Sequence, residues 1–316
     1  MLAILAIGLW PLTALHAQPY PAKPIRLVVP YTPGAGTDTI SRILAQKLGE
    51  LLGQQIVIDN RPGAGGTIGT EIVAHAAPDG YTLLFAPTSH AINPGIYPKL
   101  GFDTQKDFAP ISVVASLPVV LAVEPSVQAK SVKELVALAR SRPGQLTLAS
   151  SGNGTVFHLT GELFKDAAGI SFVHVPFKGG APAVAALLGG QVNMTFETSV
   201  TLLPHIRSGK LRALGVASAN RIALLPEVPT LAESGYPGIL SENWYGMYAP
   251  AGTPREIIVR LYAELDRTIH HPEVREKLAA QGAEIREYTP EQTTAFLAAE
   301  MAKWARVVKA SGAKID

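Results

Sequence analysis

Two periodicities alternate along this chain. The β-branched apolar run Ile25-Arg-Leu-Val-Val-Pro30 predicts a strand, followed by the glycine-rich turn Tyr31-Thr-Pro-Gly-Ala-Gly-Thr37. Beyond it Ile40, Ile43, Leu44, Leu48, Leu51 and Leu52 return at spacings of three and four, lining one face of a helix capped by Asp38 and closed by Gly53. The unit then repeats as strand Gln55 to Asp59, turn Arg61-Pro-Gly-Ala-Gly-Gly66, helix Thr67 to Ala76, turn Pro78-Asp-Gly80 and strand Tyr81 to Ala86. Strands alternating with helices predict a parallel sheet. The long apolar segment Ile111 to Val123, interrupted by Pro118, reads as a strand leaving one domain for another.

A second series opens at the capping box Ser131-Val-Lys-Glu134. Strand Leu146 to Ser150 leads through Ser151-Gly-Asn-Gly-Thr155 into a helix ending at Ala168, and strand Ser171 to Pro176 leads through Phe177-Lys-Gly-Gly180 into a helix ending at Leu188. Strand Val192 to Glu197, helix Ser199 to Arg207 and strand Leu211 to Ala217 complete it. The chain crosses back through Pro226 to Pro229 and strand Trp244 to Ala249. Capping boxes Thr253-Pro-Arg-Glu256 and Thr289-Pro-Glu-Gln292 then start C-terminal helices. Their stripes, Ile257, Ile258, Leu261, Leu265 and Ile269, then Phe296, Leu297, Met301, Trp304 and Val308, face a core. The expected architecture is α/β with a discontinuous first domain, 18–118 and 222–316, a second domain, 119–221, and a ligand cleft between them.

Composition narrows the function. With 316 residues, 47% apolar and 16% charged, the chain buries a substantial core and is not disordered. A net charge of +2 is too even for a nucleic-acid binder, whose phosphate contacts need clustered Lys and Arg. Met1 to Ala17 holds no Asp, Glu, Lys or Arg and is shorter than the roughly 20 residues of a spanning helix, so 1–17 reads as a secretory signal peptide. It lacks a basic n-region, and Leu15 stands where a small residue is usual before a cut at Ala17. The alternative is a buried N-terminal helix, which Pro11 would break. The absence of cysteine is compatible with an oxidising compartment.

Enzymatic motifs are missing. His75, His90, His158, His174 and His205 stand alone in sequence, and His270-His271 point to different helix faces, so no metal motif exists. There is no cysteine nucleophile, no Gly-x-Ser-x-Gly elbow and no Gly-x-x-x-x-Gly-Lys-Ser/Thr phosphate loop. No catalytic residue is assigned. Gly34-x-Gly36 between a strand and a helix, with Asp59 ending the next strand, suggests an NAD-linked oxidoreductase as the alternative function, but Thr39 occupies the place of the third glycine.

Three strand-to-helix junctions remain, at 33–38, 150–155 and 177–180, each exposing backbone N–H groups at a helix N-terminus, where carboxylates bind. A helix dipole contributes only about 0.3–2 kcal/mol per end. Micromolar binding needs about 8 kcal/mol, so several desolvated hydrogen bonds, made as two domains close, must add to it.

Five ordered blocks carry a resemblance: Pro-Ile-Arg-Leu-Val-Val-Pro-Tyr-x-Pro-Gly-x-Gly-Thr-Asp at 24–38, Asp-Asn-Arg-Pro-Gly-Ala-Gly-Gly at 59–66, Pro-Asp-Gly-Tyr-Thr-Leu-Leu at 78–84, Pro-Phe-Lys-Gly-Gly at 176–180 and Trp-Tyr-Gly-Met-Tyr-Ala-Pro-Ala-Gly-Thr-Pro at 244–254. The chain resembles the Bug family, the extracytoplasmic receptors of tripartite tricarboxylate transporters. The resemblance implies a two-domain, Venus-flytrap periplasmic binding protein of type II-like form. It implies a monomer in the periplasm that captures a small organic acid, a di- or tricarboxylate or an aromatic carboxylate, for membrane transporter subunits, without cofactor, metal or nucleic acid. A ligand sensor for a signalling partner stays open beside it.

Carried over block by block, the resemblance assigns ligand binding to Tyr31, Gly34, Gly36, Thr37 and Asp38, to Thr88 and Ser89, and to Ser150, Ser151, Gly154, Thr155, Phe177, Lys178 and Gly179. Asp38 also reads as an N-cap and Lys178 as a solvated surface charge. Glu197 departs from the Asp common in the family at the end of this strand. It meets the far end of the pocket or faces away from it.

Overall fold

In the computed structural model, which describes residues 20–313, the expected signal segment 1–17 lies outside the described residues. The first strand, β1, spans Ile25–Val29 and runs into helix α1, Gly36–Leu52. The α1 stripe is realised: Ile40, Leu44, Leu48 and Leu52 are buried, with Ile43 and Leu51 half-buried at its edge. Gly53 ends it at φ 71°, a left-handed conformation that side chains rarely adopt, and Gln54 N–H returns to Gly49 O. Strand β2, Ile56–Asn60, a 3-10 turn at Ala64–Gly66, helix α2, Thr67–Ala74, and strand β3, Thr82–Pro87, follow. Helix α3, Ser89–Ile96, which carries Pro94 inside it, is not among the expected elements.

Strand β4, Phe108–Val123, is continuous through Pro118, a correction to the predicted interruption. Up to Pro118 it pairs with strand β9, Glu242–Pro250, and from Val119 it pairs with strand β7, Met194–Thr198, and strand β8, Arg212–Val216. Proline, which has no N–H to give a ladder, stands where the strand changes partners. Between these strands lie helix α4, Val132–Ser141, strand β5, Thr147–Ser150, helix α5, Val156–Ala168, strand β6, Val173–Pro176, helix α6, Gly180–Leu188, and helix α7, Ser199–Arg207. The chain ends in helix α8, Arg255–His270, helix α9, Pro272–Ala280, the short strand β10, Glu284–Ile285, and helix α10, Pro290–Ser311.

The sheet order is β2-β1-β3-β9-β4-β7-β5-β6, with β8 and β10 also on β4. β1 lies parallel to β2 and β3, with Leu27 opposite Ile58 and Leu83, and β5 lies parallel to β6 and β7. The parallel sheet expected of the alternating βα units is present in both halves, while β9 and β4, where the chain crosses between the halves, run antiparallel to their neighbours.

One core cluster joins Leu27, Leu44, Leu48, Tyr245, Leu261 and Leu265 under α1 and α8, while another joins Leu148, Phe164, Phe196, Trp244 and Trp304. Helix α10 packs on α3, on β4 and on α5, touching elements from both ends of the sheet. Its capping box forms, with Thr289 Oγ1 accepting from Gln292 N and Gln292 Oε1 from Thr289 N. Ser131 caps α4, but Glu134 accepts from Lys130 N rather than from Ser131 N. The third predicted box fails: Thr253 Oγ1 donates to Pro250 O, and α8 begins beyond it.

Candidate functional site

The N-termini of α1, α3, α5, α6 and α7 converge on one cleft. The convergence follows from topology: each helix starts just beyond the carboxyl end of its strand, and those ends meet where β4 changes partners. Helices α1, α3, α6 and α7 have no side chain capping their first N–H groups, while Thr155 caps α5. Those N–H groups must be satisfied by something else, and in the cleft they form a field favouring negative charge.

Side chains add acceptors and donors without adding a cation. Thr37, Ser89, Ser151, Thr155, Thr198 and Thr201 bring hydroxyls and Asn243 an amide, whereas among the described residues no Lys, Arg or His lines this cavity. Among the described residues its one carboxyl is Glu197, 3% exposed, which accepts from Ser151 Oγ at 2.5 Å and from Thr198 N at 2.9 Å. Burial pushes its pKa up to about 7, against the downward pull of those two hydrogen bonds. Tyr31 closes one side: its OH lies 2.8 Å from Ser89 Oγ and 3.2 Å from Gly65 O, and burial pushes its pKa up to about 12. Behind the cavity Asn243 Nδ2 donates to Tyr245 OH, and burial beside Glu197 raises the Tyr245 pKa.

Of the residues expected at the site, Tyr31, Gly34, Gly36, Thr37, Ser89, Ser151, Thr155 and Glu197 line this cavity, so Glu197 faces it rather than pointing away. Phe177, Lys178 and Gly179 line an adjoining, more open cavity, together with Tyr31 and Ser151. Asp38, Thr88, Ser150 and Gly154 line neither. Asp38 is not the N-cap of α1, a position held by Ala35. Its carboxylate instead accepts from Gly34 N, Arg42 Nε and Asn60 Nδ2, each at 2.9 Å. Burial pushes its pKa up, but those hydrogen bonds and the Arg42 charge outweigh it and hold the group below the usual range. Asn60 Nδ2 also donates to Tyr31 O, so Asp38 and Asn60 clasp the first loop to β2.

Thr88 Oγ1 donates to Glu242 O and accepts from Trp244 N, tying the β3 end to β9. Ser150 Oγ lies 2.6 Å from His174 Nε2, and Gly154 N donates to His158 Nδ1. His158 and His174, which stand alone in sequence, stack with ring centroids 3.9 Å apart beneath the β5–α5 loop. Burial drives both pKa values down to about 4. Among the described residues no group of three or more His, Cys, Asp or Glu is placed to hold a metal. Asp59, the acid that a dinucleotide would need, is paired with Arg26 and Arg61.

Sequence reasoning missed Gly180, Ala181, Thr198, Thr201 and Asn243. The signal was present for Thr198 and Thr201, since strand Met194–Thr198 runs directly into a helix, as at the three junctions chosen. Gly180 is needed for space: a Cβ there would stand 2.8 Å from Glu197 Oε2.

Comparison with known proteins gives a consistent picture. The family described as "Tripartite tricarboxylate transporter family receptor" matches residues 40–313. Protein BugT of Bordetella pertussis strain Tohama I is 41% identical over 316 residues, covering 98% of this chain and 97% of that protein. A protein of R. palustris solved with adipate is 36% identical with a TM-score of 0.90, over 94% of this chain and 100% of that one. MatC from Rhodopseudomonas palustris with bound malate is 33% identical with a TM-score of 0.86, over 92% of this chain and 100% of that one.

Proposed function

This chain belongs to the tripartite tricarboxylate transporter family of receptors, and we propose that it captures a small organic carboxylate in its cleft and delivers it to the membrane subunits of such a transporter. The observation that carries this reading is the convergence of uncapped helix N-termini on a cavity that no Lys, Arg or His among the described residues lines. Such a cavity binds an anion through backbone N–H groups and hydroxyls. Two structural relatives are solved with dicarboxylates, adipate and malate, which supports this ligand class.

The ligand-binding residues are Tyr31, Gly34, Gly36, Thr37, Ser89, Ser151, Thr155 and Glu197, joined by Thr198, Thr201 and Asn243. Phe177, Lys178 and Gly179 act from the adjoining cavity. Asp38, Thr88, Ser150 and Gly154 shape the loops. The domains follow 18–118 with 222–316, and 119–221, hinging at the crossings. The mature protein works in the periplasm as a monomer after removal of residues 1–17. No helix among the described residues is long and apolar enough to cross a membrane. It performs no chemistry on its ligand.

Thermal unfolding of the mature chain, stripped of carried-over ligand, tests this against organic acids, amino acids and nicotinamide cofactors. A ligand at 100 times its Kd adds about 2.7 kcal/mol, several degrees in Tm. A shift confined to one class of carboxylate, without turnover, is expected. A shift with a nicotinamide cofactor alone would overturn the reading in favour of the oxidoreductase.

A further inference from the structure

Glu197 stands where a receptor for anions has least use for a carboxylate. It is buried in the same cavity as the helix N-termini that favour a ligand carboxylate, and among the described residues no Lys, Arg or His lines that cavity to balance it. Its position is fixed from several sides. Ser151 Oγ donates to Oε2 at 2.5 Å, Thr198 N donates to Oε1 at 2.9 Å, and a Cβ on Gly180 would stand 2.8 Å from Oε2, so the carboxyl lies against the first turn of α6. A Cβ on Gly36 would stand 3.5 Å from Thr198 Oγ1 and 3.1 Å from Tyr245 OH, so the first turn of α1 meets the residue next to Glu197. An anion that uses both helix ends shares this space with Glu197.

The surrounding elements supply no compensating charge. The titratable groups that face Glu197 are the phenols of Tyr31 and Tyr245, both pushed up by burial and neutral at pH 8. On α1 the Asp38 carboxylate is turned to Gly34 N, Arg42 and Asn60. Beneath the β5–α5 loop His158 and His174, pushed down to about 4, are neutral as well, and opposite Glu197 on β4 stands Val120. Lys178 opens on the adjoining cavity. Two carboxylates enclosed together without a cation do not both stay ionised. We propose that the receptor captures its ligand together with a proton: Glu197 takes a proton from solvent as the carboxylate enters, and the resulting O–H donates to a ligand carboxylate oxygen. The inference rests on the carboxylate-receptor reading above and adds its regulation by pH. Protonated Glu197 keeps both of its acceptor contacts and gains one donor. The same side chain therefore repels the ligand when ionised and holds it by a short, charge-assisted hydrogen bond when protonated. A pKa already raised by burial to about 7 places the change near neutral pH.

The test is calorimetric titration of the stripped mature protein with malate, adipate and benzoate at pH 8 in phosphate, HEPES and Tris, buffers whose ionisation enthalpies differ. For an acid that binds, the heat is expected to vary with buffer as the uptake of about one proton per ligand requires, with the uptake falling towards none at pH 6. Affinity should drop about tenfold from pH 8 to pH 9. In Glu197→Gln the buffer dependence should vanish and the affinity stay level over that range. Ser151→Ala removes one donor to the ionised carboxyl and so raises its pKa; the loss of affinity should then begin at higher pH, a shift that altered packing alone does not produce. A wild-type heat independent of buffer at pH 8, or proton uptake that survives in Glu197→Gln, would overturn proton capture and leave the carboxylate receptor standing. The wild-type buffer series decides the question even where a variant fails to fold. Failure of every acid to bind would overturn both.

Discussion

Glu197 sits in a ring of helix N-termini with two hydrogen bonds and no cation among the residues lining its cavity. Its pKa, raised from 4.5 to about 7, fixes the sign of its effect. The contribution of Glu197 to stability is complete below its unfolded pKa of 4.5 and is lost as pH rises through about 7. The loss amounts to about 3 kcal/mol at pH 8. Glu197→Gln, which does not titrate, should therefore gain on the wild type between these two values and hold a constant advantage above them. Urea unfolding at pH 4.5 and pH 8 checks this, and a difference independent of pH would contradict it. A ligand carboxylate beside Glu197 favours the protonated form, so wild-type affinity for organic acids should also weaken above pH 7, and Glu197→Gln should flatten that dependence. His158 and His174 act oppositely: with pKa values lowered from 6.5 to about 4, their contribution is present above 6.5 and lost as pH falls. Glu197 was marked in sequence only through the family resemblance, as a departure from the usual Asp, and whether it faces the cleft was settled only by the packing around it. The role of Asp38 was not legible, because its partner Asn60 lies on the neighbouring strand and local pattern carries no information about cross-strand partners.

At the scale of elements, the apolar periods placed nearly every strand and helix, since each amphipathic face has to be buried. What they missed has a physical cause in each case. Helix α3 carries Pro94 and Gly95 in its last turn, and α9 follows α8 with only His271 between them. The antiparallel β4 and β9 were not foreseen, because the sequence signature of a βα unit does not reveal the direction of the strands that cross between the halves. Helix α2 shows how tightly elements fix the site: a Cβ on Gly69 would stand 2.9 Å from Pro30 Cα and 2.8 Å from Arg61 O, both backbone atoms. Gly69→Ala should therefore cost about 1–3 kcal/mol, as overpacking does, and should weaken ligand binding by moving Tyr31. Denaturant unfolding and titration on the same sample read both effects. An alanine variant as stable as the wild type would contradict this packing. Helix α10 makes a comparable anchor, since Trp244 Nε1 and Trp304 Nε1 both donate to Glu300 Oε2 at 2.9 Å. Glu300→Leu leaves both indoles without their acceptor and should cost about 1–3 kcal/mol for each, measured as a lower urea midpoint at unchanged m-value.

The whole molecule is organised around a strand that changes partners. β4 carries the sheet from β9 to β7 at Pro118, and this brings the helix N-termini of both halves to face one another. A run of thirteen residues from Ile111 to Val123 signalled a long apolar strand, and Pro118 within it stands where the strand changes partner without being broken. The cleft was expected between the two halves, with three glycine-rich junctions facing it, but its full lining was not. Their convergence, and the contribution of Thr198, Thr201 and Asn243, depend on contacts between residues more than a hundred positions apart. The account's central claim is that this convergence recognises a carboxylate group through backbone N–H groups and hydroxyls. The most direct measurement is a calorimetric titration of the stripped protein with the organic acid that raises Tm most, in parallel with its methyl ester. The ester has the same carbon skeleton but no anionic oxygen. The account predicts a Kd of micromolar or below for the acid and no measurable binding of the ester. Equal affinity for both would contradict it.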